Sequence, residues 1–255
     1  MFIDTHIHWN NDTLYTIVED LIASAFAADV RQFLVVGFDH ETNRRALDLA
    51  RRYPFVKASV GFHPTIAHTL TLADYAQLER DAQDSHVHAI GEFGVDLYWE
   101  KETLIQQIQS LDFQVRLAKK LNKPIIVHMR DATQATYDAL KKHAPLSGVM
   151  HCYSGSAEMM SSFLDCGLHI GMGGPVTFKN AQVPKEVARR VPLDRLLLET
   201  DAPYLAPHPH RGKTNGAHYI PLIAQAIAEC KQVPLKTIQD HTTTNARNLF
   251  SLGDV

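Results

Sequence analysis

Eight short apolar runs alternate with longer amphipathic stretches along this 255-residue chain, and that alternation constrains its fold more than any other feature. The runs that read as strands are residues 2–5, 33–36, 56–60, 88–92, 124–128, 148–151, 168–171 and 196–199. They are rich in Val, Ile and Leu and mostly lack period-two alternation, as expected of strands covered on both faces. Between them, Ile105, Ile108, Leu111, Val115, Ala118 and Leu121 recur at spacings of three and four, which predicts a helix over 102–121. Residues 131–142, 219–230 and 234–250 read similarly, with Pro234 suited to a first helical position. Strands alternating with helices imply parallel βα units, and eight units in about 250 residues match a (β/α)8 barrel. An open doubly wound sheet would place its ligand at one crevice served by few strands. The polar residues described next come from five strands, so the expected fold is α/β, a single-domain TIM barrel over residues 1–255.

Those residues stand where the hydrophobic runs stop. His6 and His8 end or follow the first run, Glu92 ends the fourth, His128 the fifth and His151 the sixth, and Asp201 follows the eighth. In a barrel all these carboxyl ends meet on one face, and the i, i+2 spacing of His6 and His8 points both toward one centre. Any one of them alone reads as a hydrogen-bonded strand end or a helix cap. Four imidazoles and two carboxylates together would be costly to bury without a cation. Six ligands also exceed what one catalytic ion with an open position requires. The expectation is two divalent metal ions, with His6, His8 and Asp201 on one, His128 and His151 on the other, and Glu92 bridging. The mixed donors suit zinc, manganese, iron or nickel better than calcium, with magnesium compatible if a phosphate completes its shell.

Composition narrows the partners. With 25 Lys+Arg against 28 Asp+Glu the formal net charge is −3, which argues against a broad basic nucleic-acid face but allows local grip on one or two phosphates. Cys152, Cys166 and Cys230 cannot pair evenly, so a reducing compartment is the default. No apolar run approaches the roughly 18 residues that span a bilayer, and Met1–His6 lacks a signal-peptide pattern. A cytoplasmic location without a membrane partner is expected. The oligomeric state stays open, and a monomer is compatible.

The ordered set of motifs, FIDTHIH at 2–8, VGFHP at 60–64, IGEFGVD at 90–96, PIIVHMR at 124–130, HCYSG at 151–155, LLLETDAPYLAP at 196–207 and TNARNLF at 244–250, resembles the TatD-type metal-dependent deoxyribonucleases among the amidohydrolase-like barrels. That resemblance implies hydrolysis of DNA phosphodiesters, in many members as a 3′→5′ exonuclease preferring single strands, so single-stranded DNA is the expected partner. The family's metal positions fall on His6, His8, Glu92, His128, His151 and Asp201, and Asp201 would orient and deprotonate the attacking water. Two departures, at Trp9-Asn10 and at Asn215-Gly216-Ala217-His218, fall at the expected barrel mouth.

Substrate contacts are expected from His63 and Arg130 beside the ligands, and from Arg211 or Lys213 in the loop after the eighth strand, where barrels frequently bind phosphate, with a solvated basic turn the alternative for that loop. Arg would act there as a fork and Lys as a point charge. Tyr153 and Ser154 would stack on a base or donate to a phosphate, with simple packing the alternative for Tyr153. Asp96 and Glu199 read as groups that fix imidazole tautomers, while His40, His86, His88, His143, His169 and His241 read as structural or exposed. The competing chemistry is hydrolysis at carbon by a deacylase, lactonase or aminoacyl-tRNA deacylase on the same barrel. A binding protein that merely kept the barrel would lack at least one ligand, and all six are present.

Overall fold

The computed structural model describes residues 1–253. Its strands β1 (Phe2–Ile7), β2 (Val30–Val36), β3 (Val56–Val60), β4 (Val87–Asp96), β5 (Ile125–Arg130), β6 (Gly148–Met150), β7 (Leu168–Met172) and β8 (Leu196–Leu198) pair in sequential order, every pair parallel. The ends of the sheet meet. Ile7 bridges Ala202 in parallel, His8 N donates to Ala202 O at 2.9 Å, and Thr5 Oγ1 donates to Leu198 O at 2.9 Å. The result is the expected (β/α)8 barrel.

Ile3, Leu34, Val36, Ala89, Ile126, Val149 and Leu197 form one buried cluster contributed by the strands, joined by Ala246, Phe250 and Leu252 from the last helix and its tail. Contacts from Thr243 Oγ1 to Met1 O (3.1 Å) and from His88 Nδ1 to Phe250 O (2.7 Å) place that helix at the amino ends of the strands. Apolar filling below therefore leaves the carboxyl ends free for polar groups. A second, larger core lies between the strands and the surrounding helices.

Several boundaries differ from the sequence expectation, each for a local reason. The helix after β5 begins at Thr133, because Asp131 adopts φ +51° and cannot start it. Pro234 caps Leu235–Phe250 from outside, with ψ 144°, rather than occupying its first turn. The helix expected over 102–121 begins at Leu104, after a 3-10 turn at Lys101–Thr103. β4 runs on to Asp96 because Phe93 and Val95 pack into the helix-side core. Helices at Val18–Ala27, His40–Arg52, Leu72–Asp81, Ala157–Asp165 and Gln182–Arg190 complete the alternation.

Two irregularities aim the polar residues. Along β1 the pairing passes from Asp4↔Phe33 to Ile7↔Val35, so β1 holds one residue more than β2 over that stretch. Along β4 it passes from Ile90↔Ile125 to Phe93↔Val127, again with one extra residue. Each bulge reverses the inward–outward alternation. Ile3 and Ala89 face the barrel filling, yet His6 and Glu92, an odd number of residues further on, turn inward as well. β5, β6 and β8 need no such device, since Ile126 and His128, Val149 and His151, and Leu197 and Glu199 already share a face.

Gly91 makes the β4 bulge possible. Its φ is +148°, and a Cβ there would lie 2.6 Å from Ile126 O and 2.7 Å from Ile126 Cβ. Gly91→Ala combines backbone strain of about 1–3 kcal/mol with overpacking of similar size. The expected result is a Tm lower by about 5–15 °C, measured by calorimetry. An unchanged Tm would show that β4 can shift without disturbing β5.

Candidate metal centre

Six side chains, in β1, β4 and β5 or just beyond β1, β6 and β8, converge at the carboxyl ends of the strands, in two groups that share Glu92. The first group comprises His6 Nε2, His8 Nε2, Glu92 Oε2 and Asp201 Oδ1. Its separations are 3.2 Å between the two imidazoles, 3.4 and 3.7 Å from Glu92 to His6 and His8, and 3.8 and 3.3 Å from Asp201 to the same pair. Donors bound at about 2.0–2.2 Å to a tetrahedral ion stand about 3.3–3.6 Å apart. The five separations, 3.2–3.8 Å, lie close to that spacing. In the second group Glu92 Oε1 lies 2.8 Å from His128 Nδ1, 3.4 Å from His151 Nε2 and 3.7 Å from His63 Nε2. The rings of His6 and His151 stack at 3.6 Å where the groups adjoin.

The outward nitrogens of these imidazoles are also placed. His8 Nδ1 donates to Val36 O at 2.9 Å, and His128 Nε2 meets Asp96 Oδ2 at 3.1 Å. His151 Nδ1 is 3.1 Å from Glu199 Oε1, an ion-pair distance at an angle that does not make a hydrogen bond. Carboxylates and carbonyls in such positions orient a metal-binding imidazole and raise its basicity. Glu199 reaches its place because Gly171 leaves room: a Cβ there would lie 2.4 Å from Glu199 Oε2. Its Oε1 accepts a hydrogen bond from Cys152 N. His6 Nδ1 and Glu199 Oε2 are buried without a hydrogen-bond partner.

Charge in the cluster is mutually compensated. Burial alone would raise the Glu92 carboxyl, but His151, His128 and His6 reverse this and hold it well below the usual carboxylate range. Asp201 is likewise lowered against burial by His8, His151 and His6. The carboxylates Glu199 and Glu92 push His151 up to about 10 in spite of burial, whereas burial and the neighbouring His151 lower His6. Two carboxylates within a ring of imidazoles are a donor set suited to metal ions, which would displace imidazole protons.

Asp201 owes its position to a turn that the sequence motifs do not spell out. Its φ is +59°, its N donates to His6 O and its O accepts from Tyr204 N, both at 2.9 Å. Behind it, Thr200 N and Oγ1 donate to Asp4 Oδ1 and Oδ2 at 3.0 and 2.5 Å. Burial pushes the Asp4 carboxyl up to about 7 despite these bonds. Asn215, at one of the family departures, donates to Thr200 O and Tyr204 O at 2.7 and 2.6 Å. Asn10, at the other, donates to Val36 O and Thr42 O at 2.9 and 3.0 Å. Asp4, Thr200 and Asn215 were not expected as site residues. The one available signal was a carboxylate inside an apolar strand, two positions before His6.

The centre opens into a cavity of about 630 Å³ whose walls include His63, Trp99, Arg130 and Tyr204. The structure does not bring every expected contact there. Tyr153 is only 5% exposed, packs on Phe163 and donates its hydroxyl to Ser156 O at 2.9 Å, so the ring is not free to stack on a ligand. Ser154 Oγ donates to Met129 O at 3.2 Å. Arg211 lies over the Phe178 ring at 4.7 Å in a neighbouring cavity of about 440 Å³ with Lys179 and His208. Lys213 is exposed and lines neither cavity. His40, His86 and His143 pair with Asp74, Asp84 and Asp112 at 2.7, 2.9 and 2.9 Å, away from the centre.

Comparison with known proteins agrees in extent as well as in kind. The uncharacterized metal-dependent hydrolase YabD of Bacillus subtilis is 42% identical over 99% of this chain and 100% of its own length. The uncharacterized metal-dependent hydrolase YcfH of Escherichia coli K12 is 37% identical over 98% and 96%. The crystal structure of YJJV, a TatD homolog from Escherichia coli K12, superposes with a TM-score of 0.93 at 31% identity, covering 98% of both chains. Residues 3–251 match the family described as TatD related DNase. With histidines and carboxylates gathered at the mouth of a barrel that matches these relatives end to end, the chain belongs to the TatD family of metal-dependent hydrolases.

Proposed function

We propose that this protein hydrolyses phosphodiester bonds in single-stranded DNA, from the 3′ end, with two divalent ions held by six side chains. The observation that carries the reading is the place of Glu92, whose two oxygens each face a separate group of imidazoles. His6, His8 and Asp201 would hold one ion, His128 and His151 the other, and Glu92 would bridge them. When bound, such ions would supply Lewis-acid charge that eases ionisation of the attacking water and offsets charge on the phosphate.

The chain's own groups do the remaining work. Asp201, whose Oδ1 lies 3.3 Å from His8 Nε2, stays ionised, and its second carboxylate oxygen can accept the proton of the attacking water. Asp96 keeps His128 in one orientation. His63 is held neutral, its pKa lowered to about 4 by burial and by His128, so it can donate a hydrogen bond to a phosphate oxygen without adding charge. Arg130 brings a fixed positive charge to the cavity wall, suited to a non-bridging phosphate oxygen.

The test is incubation of metal-reconstituted protein with a 5′-labelled single-stranded oligonucleotide, with and without a chelator. A ladder shortening from the 3′ end, abolished by chelation and restored by Mg²⁺ or Mn²⁺, is the expected result. No cleavage, together with hydrolysis of carboxylic esters or amides, would overturn it in favour of chemistry at carbon.

A further inference from the structure

The segment between β4 and the following helix carries an arrangement that metal binding does not explain. Asp96 uses Oδ2 to meet His128 and Oδ1 to accept from Tyr98 N and Trp99 N at 2.9 and 2.8 Å. Fully buried Gln107 ties down the rest. Its Oε1 accepts from Asp96 N at 2.8 Å, and its Nε2 donates to Asp96 O, Glu100 O and Thr103 Oγ1 at 3.1, 2.7 and 3.0 Å. Tryptophan is on average a highly buried residue. Here Trp99 is 64% exposed and Tyr98 49% exposed. Their rings stand edge to face at 4.7 Å and 89°. The Arg130 guanidinium lies 4.1 Å from the Tyr98 ring centre and 5.6 Å from that of Trp99. Trp99 and Arg130 line the same cavity as Glu92 and Asp201. Ordering the loop without burying the indole gains little in folding, but it prepares a rigid aromatic face for a ligand.

We propose that Trp99, with Tyr98 and Arg130, is a stacking clamp for the unpaired nucleobase next to the cleaved linkage; the proposal rests on the phosphodiester reading above. The indole offers a π-face to any base, and Arg130 offers its charge to the adjoining phosphate while braced against the aromatic pair. Because one Asp96 carboxylate holds both the clamp and His128, the base and the metal centre keep a constant separation. A base must leave its duplex stack to reach the indole, so the clamp selects single strands.

The chain has two tryptophans, Trp9 and Trp99, and Trp9 is fully buried, so emission that responds to a bound strand reports Trp99. Metal-loaded protein is titrated with a phosphorothioate-linked oligothymidylate and with an abasic strand of equal length. Binding is followed by tryptophan emission and by anisotropy of a labelled strand. Quenching by oligothymidylate alone is expected, with the abasic strand bound about tenfold or more weakly. Trp99→Ala should weaken oligothymidylate binding by a similar factor while shifting abasic affinity less than twofold, and Trp99→Phe should recover most of the loss. Equal affinity of the native protein for both strands would overturn the clamp. So would equal weakening of both by Trp99→Ala, which marks loop damage. Quenching without cleavage of an unmodified strand would support the clamp and overturn the phosphodiesterase reading. Cleavage without quenching would do the reverse.

Discussion

Phosphodiester turnover by the Asp201→Asn variant is expected to fall by about 10³-fold or more in kcat, within the range a positioned general base contributes, with little change in Tm. The substitution is clean because asparagine, like aspartate, tolerates the left-handed φ of +59° that this position adopts. The backbone bonds from Asp201 N to His6 O and from Tyr204 N to Asp201 O survive it. Only the charge and the proton acceptor are removed. Elemental analysis should still find metal, since His6, His8 and Glu92 remain. Native-like turnover by the folded variant would remove Asp201 from the mechanism.

Glu92→Gln is expected to reduce activity at least as severely and, unlike Asp201→Asn, to change metal content. Glu92 is 4% exposed and each of its oxygens faces a different group of imidazoles. An amide keeps the shape but supplies only one acceptor oxygen and no charge. Metal per chain should drop by about half or more under conditions that saturate the native protein, and kcat should fall by about 10³-fold or more. Unchanged stoichiometry would refute the bridge, because a residue that serves two ions cannot be lost without affecting either.

Much of the fold was readable in the sequence. Eight Val/Ile/Leu runs between helical stretches left few alternatives to a barrel, since strands covered on both faces need helices outside and a packed interior. His6, Glu92, His128, His151 and Asp201 were legible because each stands where a hydrophobic run stops. Local backbone detail was not. The left-handed Asp131 delayed one helix, and Pro234 capped another from outside.

Side-chain reach was less legible in the sequence than secondary structure. Tyr153, two positions after His151, is compatible in sequence with substrate contact or with packing, and its ring turns into the helix layer. Trp99 carried no motif, yet it stands on the cavity wall because Asp96 and Gln107 hold its loop there. Arg211 turned to Phe178 in the neighbouring cavity.

The chain by itself determined where apolar runs give way to histidines and carboxylates, because the apolar filling of the barrel stops at the carboxyl ends of its strands while burial continues. Only the tertiary structure decided which way those residues point. An extra residue in β1 and another in β4 reverse the side-chain alternation, and they depend on pairing between strands that no single segment encodes. Without those two bulges His6 and Glu92 would face the helices, and the imidazoles of β5 and β6 would have no carboxylate between them.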